Sequence, residues 1–285
     1  MGTIRASYQY LINNIQSEQG RTDQLAKYLI NDLFGIFDMS SEKILNEQEW
    51  EILEKAVADL KANMPLQYIT GIAHFYGYKF KVNQSVLIPR PETEELVFEI
   101  SQVIKDDDQR QKRKLLDIGT GSGCIAITLK KNFPDLNITA MDKSESALKV
   151  ALENMQELGV KLNLIKDDIL HLTSKTLLTH QWDYIISNPP YIDQEESRYM
   201  DEHVLKYEPQ DALFPSGVTP LEMYSSIISY ANTHLATGGW LFLELSEFLS
   251  GPVFLQMESS GFCDMQIVKD MQGKPRILSG KYLPD

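Results

Sequence analysis

Asn188-Pro189-Pro190-Tyr191 follows the apolar run Tyr184-Ile185-Ile186-Ser187 and sets a planar amide beside two backbone nitrogens that carry no hydrogen. Proline fixes its own φ and donates nothing, so an Asn-Pro-Pro turn after a buried strand leaves carbonyl oxygens facing a cleft without a local donor. Oxygens so placed can accept from an incoming NH2 group, which suits chemistry at a planar nitrogen. Taken alone, two prolines after a strand also serve simply to stop it. Segments upstream decide between these readings.

Lys114-Leu115-Leu116-Asp117-Ile118 reads as a short strand, Gly119-Thr120-Gly121-Ser122-Gly123 as a glycine-rich turn, and Cys124-Ile125-Ala126 as the start of a helix. Glycine permits φ > 0 and close backbone approach, so a ligand can lie against the main chain. The spacing is GxGxG, with Cys124 where a dinucleotide fingerprint places its third glycine. Asp117, two positions before the first glycine, suits the ammonium of the methionine portion of S-adenosylmethionine, directly or through water, and would repel a pyrophosphate. A dinucleotide site is the alternative.

The strand Asn137 to Asp142 ends in a carboxylate about twenty residues beyond the turn, the distance at which an acid meets ribose hydroxyls. Leu162 to Lys166 ends at Asp167-Asp168-Ile169. Asp168 is the better placed of the two acids to accept from the adenine NH2, and Ile169 to cover the ring. Each acid alone reads more readily as a solvated strand end or helix cap. Their order gives them meaning: three successive strands each end in a group suited to one part of one ligand, at the carboxyl edge where open α/β sheets bind. Asn188 counts with this cofactor set as well as with the substrate set.

With these residues the chain resembles the class I S-adenosylmethionine-dependent methyltransferases. The resemblance narrows with Pro65 to Gly71, Phe75-Tyr76-Gly77, Leu87 to Glu94, the Asn188 tetrad with Ile192-Asp193, and Tyr207 to Leu213. Together these are similar to the peptide chain release factor glutamine methyltransferase (PrmC/HemK) family, and the match covers nearly the whole chain. It implies a seven-stranded sheet with its last strand antiparallel, S-adenosylmethionine as methyl donor, and as substrate the glutamine of the Gly-Gly-Gln loop of class I release factors, with a helical domain gripping that partner. A ribosomal-protein glutamine methyltransferase is the alternative within the family; the segment Ile192 to Leu213 looks more like the release-factor enzyme. One departure concerns the fifth strand, where the family has Glu-Ile-Gly and then a glutamine. Here Glu244-Leu245-Ser246 leads to Phe248-Leu249, which puts the local packing in question.

Composition narrows the rest. The 285 residues, 43% of them hydrophobic, suffice for one full domain and a smaller one. A net charge of −13 argues against broad binding to nucleic acid, which needs Lys and Arg to neutralise phosphates. From the tetrad alone, an exocyclic amine of adenine or cytosine would fit as well as a carboxamide. A DNA amino-methyltransferase, however, calls for a basic groove or recognition module, and neither is legible. Two cysteines, Cys124 and Cys263, give no disulfide framework, and five scattered His residues argue against a metal site. The amino terminus lacks the regions of a signal peptide, and no apolar run is long enough to cross a bilayer, so a cytoplasmic protein is expected. A monomer is expected as well.

Residues 1–72 carry helical periodicity and read as a small bundle, to which the resemblance gives the role of substrate recognition. Its clearest helix begins at Asn46, with Glu49 as capping-box partner and Trp50, Leu53, Val57, Leu60 and Met64 along an inward face. Residues 73–90 read as a β-hairpin connector, and 91–285 as the methyltransferase domain, entered through a helix with Leu96, Val97, Ile100, Val103 and Ile104 inside. Asp106 to Arg113 reads as a solvated loop. Residues 192–220 read as a long polar connection, unusual enough to suggest a binding loop or lid. A helix from Pro220 to His234, a strand from Trp240 to Leu245, and strands near Met265 to Val268 and Arg276 to Leu278 complete the pattern.

An amide nitrogen is a poor nucleophile because its lone pair is delocalised into the carbonyl. The expected remedy is that Asn188 Oδ1 and the Pro189 carbonyl accept the two hydrogens of the substrate NH2. They align the nitrogen with the sulfonium methyl and become better acceptors as positive charge develops. Tyr191 and the two prolines would wall the amide from water.

Overall fold

The computed structural model describes residues 2–15, 22–107 and 112–284. These divide into two compact units, Met1–Ile72 with Asp201–Tyr207, and Ala73–Met200 with Glu208–Asp285.

In the first unit β1 (Gly2–Thr3) pairs antiparallel with β2 (Ile44–Leu45). Around them stand α1 (Ile4–Asn14), α2 (Thr22–Phe34), α3 (Glu47–Lys61) and α4 (Leu66–Thr70). The amphipathic faces of these helices bury Ile4, Leu11, Leu29, Ile30, Leu53 and Val57 in a common core. Asn46 caps α3 through a reciprocal capping box with Glu49, at 2.9 and 2.8 Å. The helix stops at Lys61, where Asn63 turns left-handed at φ 60°, so Met64 lies beyond the helix and outside the face assigned to it. The later segment Asp201–Tyr207 belongs to this unit, where Tyr207 Oη donates to the Ala62 carbonyl at 2.8 Å. Sequence periodicity gave no sign of that return.

The second unit opens with the hairpin β3 (Ile72–Phe75) and β4 (Tyr78–Lys81), turned by Tyr76 and Gly77 at φ 50° and 80°. There follow α5 (Pro91–Asp106), β5 (Lys114–Ile118), α6 (Cys124–Asn132), β6 (Asn137–Asp142), α7 (Glu145–Glu157), β7 (Asn163–Lys166), α8 (Lys175–Thr179) and β8 (Trp182–Ser187). After α9 (Glu202–Tyr207), which belongs to the first unit, the second unit resumes with α10 (Gln210–Leu213), α11 (Pro220–His234), β9 (Leu235–Glu244), α12 (Ser250–Ser259), β10 (Phe262–Lys269) and β11 (Pro275–Tyr282).

Seven strands form one sheet in the order β10-β11-β9-β8-β5-β6-β7. β11 runs antiparallel to both neighbours and is inserted between β9 and β10. The inner strands read as continuous apolar runs because helices cover both faces. Alternate residues therefore enter opposite cores: Leu115, Tyr184, Ile186 and Phe242 on one side, Leu116, Ile185, Leu241 and Leu243 on the other. This is the class I methyltransferase fold.

Two expectations change. Residues 192–220 are not one irregular connection: a 3-10 turn over Gln194–Tyr199 precedes α9 and α10. In the stretch Asp106 to Arg113, residues 108–111 lie outside the described residues; Asp106 and Lys112 are exposed as expected, but Asp107 and Arg113 are pinned. Arg113 donates to Asp107 at 2.8 Å and to Asp183 at 2.7 Å, and Tyr184 Oη donates to Asp107 at 2.6 Å. The pairs fasten the start of β5 to β8.

Candidate active site

Strand register builds the site. Ile118 lies opposite both Met141 and Ser187, and Ser187 lies opposite Leu243. The residues that follow, Gly119, Asp142, Asn188 and Glu244, therefore stand level at the carboxyl edge of four adjacent parallel strands. Ser187 Oγ locks this register by donating to the Ile118 carbonyl at 2.8 Å.

The glycine turn is folded onto the end of β6. Gly119 and Thr120 amides donate to the Met141 carbonyl, both at 2.9 Å, and the Gly121 amide donates to Asp142 Oδ2 at 2.9 Å. Gly119, Gly121 and Gly123 all have positive φ, at 76°, 55° and 80°. An added Cβ would meet nothing within 4 Å at Gly121 and only the Asn188 carbonyl oxygen, at 3.9 Å, at Gly119, so these positions leave a bare main-chain surface. Gly123 serves packing instead, since its Cβ would meet Ile127 Cδ1 at 2.8 Å.

A cavity of about 380 Å³ opens over this edge, a size suited to a small-molecule ligand. Gly119, Thr120, Gly121, Ser122, Asp142, Asp168, Ile169, Asn188, Pro189 and Pro190 all line it. Asp117, Gly123 and Tyr191 stand behind its wall. Asp117 is fully buried; its Oδ2 accepts from Thr120 Oγ1 at 2.6 Å. Its Oδ1 has no hydrogen bond of good geometry, although the Ala126 amide lies near enough to favour the anion. Burial, with the Asp142 charge adding to it, pushes the Asp117 carboxyl up to about 7.

The two acids after β7 divide their work. Asp167 is buried and accepts from the amides of Asp168, Thr173 and Ser174 at 3.0, 2.9 and 2.7 Å, which folds the loop. Those donors hold its carboxyl below the ordinary carboxylate range despite burial. Asp168 turns to the cavity, with Oδ1 taking the Leu170 amide at 2.9 Å.

At the end of β8, Asn188 Nδ2 donates to Thr93 Oγ1 at 3.1 Å, and Thr93 Oγ1 donates to Glu244 Oε2 at 2.7 Å. Tyr191 Oη donates to Glu244 Oε1 at 3.1 Å. Neither Asn188 Oδ1 nor the Pro189 carbonyl accepts a hydrogen bond from any described residue. Two acceptors on the cavity wall are thus left with free lone pairs, beside a main-chain surface open to a ligand.

Comparison with known proteins gives the family. The family model for the methyltransferase small domain matches residues 100–221, and that for the PrmC N-terminal domain matches residues 17–71. A release factor glutamine methyltransferase of Bacteroides thetaiotaomicron is 39% identical over 85% of this chain and 84% of its own. One from Lactococcus lactis is 39% identical over 86% and 87%. The chain belongs to the release factor glutamine methyltransferase family. Among solved structures, a methyltransferase from Pyrococcus furiosus superposes with TM-score 0.53 at 18% identity, covering 84% of this chain and all of that one (100%), a likeness of fold.

Relative to the residues picked out by motif, this family member adds several to the site. Thr93 and Glu244 join the Asn188 loop. Arg90 donates to the buried Glu208, which also takes the Ile88 amide at 3.2 Å, so the segment before α5 is clamped over the cavity edge. Asn154 bridges the hairpin to the turn: Nδ2 donates to the Lys81 and Ser122 carbonyls at 3.0 and 2.9 Å, and Oδ1 accepts the Lys81 amide at 2.6 Å. The family departure after Glu244 is absorbed by Tyr224, whose hydroxyl accepts from the Ser246 amide at 3.0 Å and donates to the Glu244 carbonyl at 2.9 Å. Phe248 points outward, 67% exposed. Burial pushes the Cys124 thiol up to about 12, which leaves it chemically inert at neutral pH. Among the described residues no group of His, Cys, Asp or Glu could hold a metal ion, and no helix is long and apolar enough to cross a membrane.

Proposed function

We propose that this protein transfers a methyl group from S-adenosylmethionine to the side-chain amide nitrogen of a glutamine in class I peptide chain release factors, at the Gly-Gly-Gln loop. The observation that carries this reading is the pair of unpartnered acceptors, Asn188 Oδ1 and the Pro189 carbonyl, on the same cavity as the glycine turn. Its relatives' names point to the same substrate class.

The residues present fit the cofactor. Gly119 and Gly121 leave room for close approach, and Asp142 retains lone pairs for ribose hydroxyls after taking the Gly121 and Ser144 amides. Asp168 would accept from the adenine NH2 and Ile169 would cover the ring. Asp117 supplies negative potential beneath the turn, and an ammonium seated above would favour its ionised form. When bound, the cofactor supplies an electrophilic methyl on a sulfonium.

Everything else falls to the chain. Asn188 Oδ1 and the Pro189 oxygen each accept one hydrogen of the incoming NH2, which holds the nitrogen in line and disfavours rotation of the amide. As the nitrogen gains positive charge, both acceptors strengthen without having to reorient. Pro189 and Pro190 offer no competing N–H and line the cavity with ring carbons. Tyr191 acts from behind the wall, through Glu244. The helical unit, matched by the PrmC N-terminal domain model, would recognise the partner protein.

The test is to incubate the protein with methyl-labelled S-adenosylmethionine and a release factor, the same factor with its loop glutamine changed, ribosomes, or duplex DNA. Label on the unchanged factor alone is the expected outcome. Label on ribosomal protein or DNA, or on the changed factor, would overturn the proposal.

A further inference from the structure

We propose that Thr93 and Glu244 are positioning residues that dictate which end of the Asn188 carboxamide faces the substrate. The inference rests on the methyl-transfer reading above. An Asn side chain presents an oxygen on one side and an NH2 on the other, nearly equal in shape and opposite in hydrogen-bond polarity. Only the oxygen can receive a substrate NH2. A flipped amide would confront it with a second NH2 and repel it, so something must settle the orientation.

The hydrogen-bond chain does so by elimination. An ionised carboxylate only accepts. Glu244 Oε1 takes the Tyr191 hydroxyl and Oε2 takes Thr93 Oγ1. The single hydroxyl hydrogen of Thr93 is thereby committed, and only lone pairs remain to face Asn188. Asn188 must answer with Nδ2, at 3.1 Å, which turns Oδ1 into the cavity. Thr93 is 2% and Glu244 2% exposed, so the bond between them is shielded from bulk water, while Thr93 and Asn188 border the cavity.

Protonation of Glu244 removes the constraint. With a hydrogen on Oε2, Glu244 donates to Thr93, the Thr93 hydroxyl is released to donate to Asn188 Oδ1, and the flipped amide becomes equally satisfied. The chain is therefore polarised by one proton. The groups around Glu244 come from several elements: Glu92 and Thr93 from α5, Tyr191 from the loop after β8, Tyr224 from α11, Cys124 from α6 and Arg276 from β11. Burial and the Glu92 charge push the carboxyl up to about 7, opposed by the Thr93 and Tyr191 hydroxyls and by Arg276. Arg276 is itself held by Asp270 at 2.9 Å.

The experiment compares wild type with Thr93→Val, Thr93→Ser and Glu244→Gln, using a release factor and labelled S-adenosylmethionine, with cofactor Kd and melting temperature measured for each. Thr93→Val, which keeps the shape and deletes the relay, is expected to lower kcat about 10-fold at near-unchanged cofactor Kd. Thr93→Ser should restore most of that loss. Wild-type kcat should rise with pH through the Glu244 ionisation, and this acid limb should vanish in Glu244→Gln. Full kcat in Thr93→Val, equal loss in Thr93→Ser, or an acid limb that survives in Glu244→Gln would overturn the proposal. Should the wild type label no substrate, the functional reading fails, and the orientation is still decided in ligand-free protein by NMR. The Asn188 NH2 hydrogens should exchange with solvent about 10-fold faster in Thr93→Val than in wild type or Thr93→Ser; unchanged exchange would sink it.

Discussion

Asp142 holds Gly121 by its backbone: Oδ2 accepts the Gly121 amide at 2.9 Å while Oδ1 accepts the Ser144 amide at 2.8 Å. One carboxylate thus fixes the glycine turn against the start of α7. Asp142→Ala is expected to weaken S-adenosylmethionine binding by about 10- to 100-fold, the worth of a charge-assisted hydrogen bond plus a loosened turn. Calorimetric titration checks this, and turnover at saturating cofactor should fall far less.

Asn188→Ala should do the reverse. Removing one acceptor of the substrate NH2 takes away stabilisation that grows during transfer, so kcat should drop by about one to two orders of magnitude. Cofactor affinity should stay close to that of wild type. Equal loss of affinity in the Asp142 and Asn188 variants would contradict the division of labour between the two strand ends.

Gly123→Ala tests the turn itself. The new Cβ would lie 2.8 Å from Ile127 Cδ1 and 3.3 Å from Ala151 Cβ, at φ 80°. Overpacking and left-handed strain together should cost roughly 1–3 kcal/mol. A urea unfolding midpoint unchanged from wild type would refute the close approach of α6 and α7.

Stability and activity should respond to pH in opposite senses. Asp117 and Glu244 have ordinary values of 3.8 and 4.5 and are raised to about 7 in the folded protein. The native state then binds more protons than the unfolded one between those limits, so unfolding free energy falls as pH rises across that window. Activity rises over the same range if ionised Glu244 orients Asn188. Asp117→Asn should flatten part of the stability slope, as read from urea denaturation at several pH values.

Much of this candidate site was legible because the residues that line the cavity over such a sheet sit where strands end. Asp142, Asp168 and Asn188 could be found by marking the residue at which each apolar run stops. The same rule reaches Glu244, at the end of β9, but a lone acid there carries no motif, and its meaning lies in Thr93, some 150 residues earlier in the chain. Thr93 sits in the first turn of α5, where a small polar residue reads as a helix start. Asp117 differs from these. Its place in the sequence suggested contact with a ligand, yet side chains alternate along a strand, and its own points into the interior beneath the turn. The return of Asp201–Tyr207 to the helical unit was illegible for a different reason: a six-residue helix has too few turns to reveal a period.

β11 lies between β9 and β10, although it follows both in the chain. During synthesis, then, β10 has no edge to join until Pro275–Tyr282 has left the ribosome, and the nascent domain must wait with β9 open on one side. Such an open edge is exposed to mispairing. A premature stop after Lys269 would therefore not merely shorten the protein. It would leave β10 unmoored and β9 bare, and produce a species prone to aggregate rather than a smaller enzyme.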